Sequence, residues 1–298
     1  MALRRGVARW LVRHVIRPGL APQLPLAARR ARADRAARLL PTPRGIRRVP
    51  AGAENPGGEW LLPSGSSPGD SRGALLYVHG GGFVLGSPAS HRGIAAGLAR
   101  VTGLPVLLAR YRLAPEHPFP AGLDDLRATW SHMALAGARP LALAGDSAGA
   151  WLALALALEA GAADVPRPVG LALFSPLADL AEAETDTGPD AMLPPGFVAE
   201  GVRAWRGELP ARDPRLDLLG APLAGLPPLF IGFDRDEILA GGARRLAEAA
   251  RAAGVRVHVE EVVGLWHAWP VFAGLLPEAD ATLRNAVATL APVPGAGR

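Results

Sequence analysis

The sequence contains no cysteine and no lysine. Without cysteine there is no disulfide, no thiolate metal site and no thiol nucleophile, and redox chemistry gives no hint of compartment. All 32 basic residues are therefore arginine, which raises the pI to about 10.9 although the formal charge is only +5. Aromatic residues make up 5% of the chain, and the arginines are scattered except near the N-terminus. That pattern, with no recognition motif, predicts no nucleic-acid partner. Long hydrophobic runs are missing too. The most apolar one, 148–158, is bounded by Asp146 and Glu159 and falls well short of the ~20 residues a bilayer span needs. It reads as a buried helix.

What remains is enough for a sizeable core: 298 residues, 49% of them hydrophobic. The first 17 residues set Leu3, Val7, Trp10, Leu11 and Val15 at helical spacing between Arg4, Arg5, Arg9, Arg13 and Arg17. Arginine recurs too often for a signal peptide, and the absence of a leader or span predicts a cytoplasmic protein. Such a helix either packs on the domain, the simpler reading, or makes weak contact with a membrane or lipid surface.

From residue 74 onward, strand-like and helix-like segments alternate, which predicts an α/β fold with a mostly parallel sheet. Expected strands cover 74–78, 105–109, 140–144, 169–174, 229–233 and 255–259, with shorter ones near 46–49 and 59–62. Helices are expected near 27–40, 121–136, 148–158, 243–253 and 283–290. The interval 176–226 breaks the alternation with many prolines, yet it is too long for a plain loop. It reads as an insertion folding over the site.

The chemistry centres on Gly145-Asp146-Ser147-Ala148-Gly149, set between two apolar runs. A strand, a sharp turn and a helix in that order form the G-x-S-x-G elbow, which exposes a serine hydroxyl at the top of a sheet. Serine needs a base, and the base an orienting acid, in the chain order Ser, acid, His. Two histidines follow Ser147. His258 lies within a strand pattern, opposite the valines, whereas His267 falls in the loop beyond it and is the candidate base. The loop after the preceding strand offers Asp234, Asp236 and Glu237, and spacing alone does not separate them. Upstream, His79-Gly80-Gly81-Gly82 follows a strand, and its glycines free backbone amides to face an oxyanion together with the amide of Ala148.

These motifs, with Tyr111-Arg112-Leu113-Ala114-Pro115-Glu116-His117-Pro118-Phe119-Pro120 and Gly264-Leu265-Trp266-His267, resemble the bacterial hormone-sensitive-lipase-like family of esterases from about Trp60 to the C-terminus. The resemblance implies an α/β-hydrolase fold with 1–45 as cap helices, 46–298 as catalytic domain, and a further cap insertion at about 176–226. It implies hydrolysis of small-molecule carboxylic esters of short to medium acyl chain, with no cofactor and no metal. By the same resemblance Gly81, Gly82 and Ala148 are the oxyanion donors, Tyr111 to Pro120 supports the site, and Asp125 belongs to the helix after it. Glu237, followed by Ile238-Leu239, takes the position of the acid, with Asp236 as the alternative. Two departures stand out: Gly241-Gly242 replaces an expected acidic pair, and Phe233-Asp234 stands where small residues are usual. An amidase, carbamate hydrolase or lactone hydrolase on the same site, or a non-catalytic binding module on the same fold, are the competing readings.

Overall fold

Eight short apolar runs pair into one sheet in the computed structural model, which describes residues 5–39, 44–52, 57–137, 141–160, 166–185 and 188–290. The strands are β1 (Ile46–Pro50), β2 (Gly58–Pro63), β3 (Ala74–Val78), β4 (Val106–Ala109), β5 (Leu141–Asp146), β6 (Leu171–Phe174), β7 (Leu229–Asp234) and β8 (Val257–Val262). Their order is β1-β2-β4-β3-β5-β6-β7-β8, antiparallel as far as the β2–β4 pair and parallel thereafter. Strands β3 to β7 are covered on both faces and so consist almost wholly of apolar residues. Leu76 and Val78 pack into one layer, with helices Ala121–Leu135, Ser147–Glu159 and Ala240–Ala252. Leu75 and Tyr77 point into the other, with helices Arg92–Thr102 and Pro277–Thr289. At the exposed edge, β8 alternates, and His258 stacks outside on Phe230 at 5.6 Å.

The α/β architecture is as expected; one helix is an addition. Arg92–Thr102 carries Gly93 and Gly97, which interrupt its apolar pattern. They are there for proximity: a Cβ on Gly97 would lie 2.5 Å from Leu283, and one on Gly93 2.8 Å from the Val271 carbonyl. Leu3, Arg4, Leu40 and Pro140, which the sequence reading counted within elements, lie outside the described residues.

The N-terminal segment is helical over Arg5–Leu11, then one π-helical turn over Val12–Ile16. It packs on the domain, but not through the face that hydropathy picks out. Ala8 and Val12 are fully buried against Leu265, Trp266, Trp269 and Leu276. Val7, Trp10 and Val15 remain half or more exposed. Small Ala8 lets the helix approach closely, and Arg5 Nε and Arg9 donate to the Gly264 carbonyl at 3.1 and 2.8 Å.

Helix Leu26–Leu39 is fastened by two arginines. Arg29, almost wholly buried, forms a bidentate pair with Glu200 on helix Phe197–Arg206. Arg30 donates to the carbonyls of Val84 and Ala114, both at 2.8 Å, and to Glu116. Helix Phe197–Arg206 lies between β6 and β7 in sequence and seats Trp205 on Phe83, rings stacked at 4.0 Å, with Trp151 and Phe119 edge-on. Removing the carboxylate of Glu200 strands the buried Arg29 guanidinium. Glu200→Ala is expected to cost about 2 kcal/mol of unfolding free energy in urea titration, and an unchanged transition would show that the pair does not hold these helices.

Candidate active site

The carboxyl ends of β3, β5, β6, β7 and β8 converge on one edge of the sheet, the position where ligand sites form in such folds. Strand β5 passes directly into helix Ser147–Glu159, and Ser147 takes φ 53°, a left-handed conformation that a non-glycine residue adopts at a cost of about 1–3 kcal/mol. The flanking glycines are sterically required: a Cβ on Gly145 would lie 2.6 Å from the Gly149 carbonyl, and one on Gly149 2.3 Å from the Val78 carbonyl. Among the described residues, the other non-glycine positive φ angles belong to Phe83, Ser175 and Ala268. Each lies on a loop of this same edge, so backbone strain is concentrated there.

The glycine loop after β3 sits against the elbow. Gly80 has no room for a side chain, since its Cβ would lie 2.3 Å from Asp146 Oδ2 and 3.0 Å from Ser147 Cβ. The amides of Gly81 and Gly82 donate to no acceptor among the described residues. The amide of Ala148 lies in the first turn of its helix, where backbone N–H groups lack helical partners. All three are free to meet a negatively charged oxygen.

Asp146, buried between these loops, ties them together. Its Oδ1 accepts the Tyr77 hydroxyl at 2.7 Å and the Gly80 amide at 3.0 Å, and its Oδ2 lies 3.3 Å from His91 Nε2. Burial alone would raise its pKa, but the neighbouring His91 and the Tyr77 hydroxyl outweigh burial and lower it. His79 stacks on Tyr111 at 4.4 Å, and burial holds it neutral, pulling its pKa down to about 3. The Tyr111 hydroxyl donates to the His79 carbonyl at 2.7 Å, and Asp125 accepts the Arg112 amide at 2.8 Å.

The three carboxylates at the end of β7 and just beyond it have different environments. Asp236 is exposed. Asp234 is buried as a brace: Oδ2 accepts the Leu265 amide at 2.7 Å and Oδ1 the Asp236 amide at 3.0 Å, linking this loop to the one after β8. Glu237 is buried with Oε1 3.7 Å from His267 Nδ1. Neither atom has a hydrogen-bond partner among the described residues, and the two face each other. Burial lowers the proton affinity of His267, but the Glu237 carboxylate outweighs it and raises the pKa above the ordinary 6.5. Burial likewise raises that of Glu237, against the pull of His267 and Ser175.

Ser175, at the end of β6, has no counterpart in the sequence reading. Its hydroxyl donates to Glu237 Oε2 at 2.8 Å and accepts the Ala268 amide at 2.9 Å, joining Glu237 to the histidine loop. Asp190 likewise went unremarked. Its Oδ2 accepts the Ile238 amide at 3.1 Å, and its Oδ1 the amides of Met192 and Leu193. For Ser175 the available signal was its place, directly after an apolar strand, as Ser147 follows its own. The missing acidic pair is visible as a helix Ala240–Ala252 whose N-cap, Leu239, makes no side-chain hydrogen bond. A cavity of 210 Å³ opens beside Glu237 and His267, lined also by Arg9, Arg13, Asp190 and Asp236 among others.

Comparison with known proteins agrees with this fold. Residues 75–271 match the family described as the alpha/beta hydrolase fold. An acetyl-hydrolase of Streptomyces hygroscopicus is 38% identical over 80% of this chain and 81% of its own length. An esterase of Acinetobacter venetianus is 34% identical over 71% and 72%. A crystal structure of an esterase from the bacterial hormone-sensitive lipase family superposes with a TM-score of 0.87 at 30% identity, covering 100% of both chains. The chain belongs to the α/β-hydrolase family, among the hormone-sensitive-lipase-type esterases.

Ser175→Ala leaves the buried Glu237 Oε2 with the Asp234 amide alone, at 3.3 Å. Its unfolding free energy is expected to fall by about 1–3 kcal/mol; a wild-type urea midpoint and slope would exclude the bridging role.

Proposed function

We propose that the chain hydrolyses carboxylic esters through an acyl-enzyme on Ser147, with His267 as base, Glu237 as orienting acid, and the amides of Gly81, Gly82 and Ala148 as oxyanion donors. The observation that carries this reading is the buried, mutually facing pair Glu237 and His267, on the sheet edge that also bears the strained Ser147. In the first step Ser147 Oγ bonds to the ester carbonyl carbon while His267 takes its proton. With Nδ1 turned to Glu237, Nε2 is the nitrogen that exchanges it. The carbonyl electrons move to oxygen, where the three amides stabilise the charge. Collapse breaks the bond to the alcohol, which leaves with the proton from His267. Water then repeats the sequence on the acyl-enzyme and frees the acid.

Residues 1–45 and the insertion at about 176–226 form the cap over the catalytic domain 46–298, a division supported by the Arg29–Glu200 pair and the packing of Trp205 on Phe83. The name acetyl-hydrolase, carried by the Streptomyces relative, supports short acyl chains.

Ser147→Ala should lower kcat on p-nitrophenyl acetate by about three to six orders of magnitude, and near-wild-type turnover would remove Ser147 from the mechanism. Glu237→Gln should cost at least about a hundredfold in kcat, against no more than about twofold for Asp236→Asn; the reverse ranking would reassign the acid.

The pH profile tests the same pair. Neutral His267 is the active form, so kcat/KM should rise with pH along a limb whose midpoint lies above 6.5, because Glu237 favours the imidazolium. In Glu237→Gln that charge is gone and burial dominates, so the residual activity should persist to lower pH. A limb that does not move between the two proteins would show that another group governs it.

A further inference from the structure

Among the described residues five large hydrophobic side chains are exposed, and four of them lie on or beside the N-terminal helix: Val7, Trp10 and Val15 on the helix, and Val263 in the loop it clamps. Fractional exposures run from 50% to 58% for these four. Folding has taken Ala8 and Val12 for the core and left the bulkier side chains outside. The same helix carries arginines at 5, 9, 13 and 17 and no acidic residue. Elsewhere arginines are widely paired, Arg235 and Arg244 with Glu261 and Arg245 with Asp179 and Glu182 for example. Among the described residues none of these four N-terminal arginines has a carboxylate within ion-pair distance. Arg5 and Arg9 bond main-chain carbonyls rather than a carboxylate, and Arg9 and Arg13 also line the cavity that holds Asp190, Asp236 and Glu237.

We propose that this helix is a docking face for an anionic lipid bilayer, with Val7, Trp10 and Val15 entering the headgroup boundary and the arginine row meeting the lipid phosphates. The side chains suit that occupant: a tryptophan beside aliphatic residues prefers the interface, and unpaired basic residues beside it are drawn to anionic headgroups. A second copy of the chain fits badly, since a two-fold contact through this face would set the arginine row against itself. The helix is fastened to Gly264, three residues before His267. Docking therefore brings the histidine loop beside the membrane surface, where apolar esters accumulate.

Flotation of the full chain with phosphatidylcholine vesicles, with and without phosphatidylglycerol, tests this, with hydrolysis of water-soluble p-nitrophenyl acetate measured in parallel. At least about tenfold stronger partition to the anionic vesicles is expected, lost in about 0.5 M salt. The double variant Val7→Ser/Trp10→Ser should weaken it about tenfold and leave hydrolysis of the soluble ester unchanged. Absence of vesicle binding, equal binding to both vesicle types, or equal binding of wild type and variant would overturn the proposal. So would an oligomer in sedimentation velocity that the variant dissolves, which would assign the face to a second copy.

Discussion

The buried carboxylate of Asp146 is the contact on which the site's geometry depends. It is the last residue of β5, next to Ser147, and it reaches across to the Gly80 amide, the Tyr77 hydroxyl and His91. A charge in that position is tolerable only because these groups offset its desolvation. The result is a fixed distance between the strained elbow and the glycine loop, the two parts between which the proposed reaction places the ester carbonyl. Close backbone approach does the rest: with Gly80, Gly145 and Gly149 stripped of side chains, the loop and the elbow pack at van der Waals contact.

A second chain of contacts runs along the sheet. Ser147 follows β5, Ser175 follows β6, Glu237 follows β7 and His267 follows β8, and these four strands are consecutive neighbours. Ser175 spans the gap between Glu237 and the histidine loop, while Asp234 ties the same two loops through the Leu265 amide. Parallel strand order thus turns four separated stretches of sequence into adjacent loops. Above them, Arg29, Arg30 and the ring cluster of Trp205, Phe83, Trp151 and Phe119 keep the helical segments in place.

Much of this was legible because the residues involved have few substitutes. A doubly covered parallel strand must be apolar throughout, so β3 to β7 read as unbroken runs. The turns at Gly81 and Gly145 to Gly149 admit only glycine at the tight positions, so the motifs stand out. Choosing among Asp234, Asp236 and Glu237 required the resemblance, because each residue's direction depends on how the chain leaves β7, which no periodicity encodes. Ser175 and Asp190 act through hydrogen bonds to loop groups distant in sequence, which no periodicity or motif encodes. At the N-terminus, periodicity foretold a helix but not its inner face, since Ala8 counts for little in hydropathy yet fits closely against Trp266. Arg92–Thr102 was hidden by the glycines that let it pack.

In the proposed mechanism Ser147 is the one activated hydroxyl on this edge, set apart from Ser175 by the base it can reach. Intact-mass and peptide analysis after treatment with a fluorophosphonate addresses this directly. A single adduct is expected, on the peptide bearing Ser147, and none in Ser147→Ala. An adduct on Ser175, or an unmodified protein that still hydrolyses esters, would contradict it.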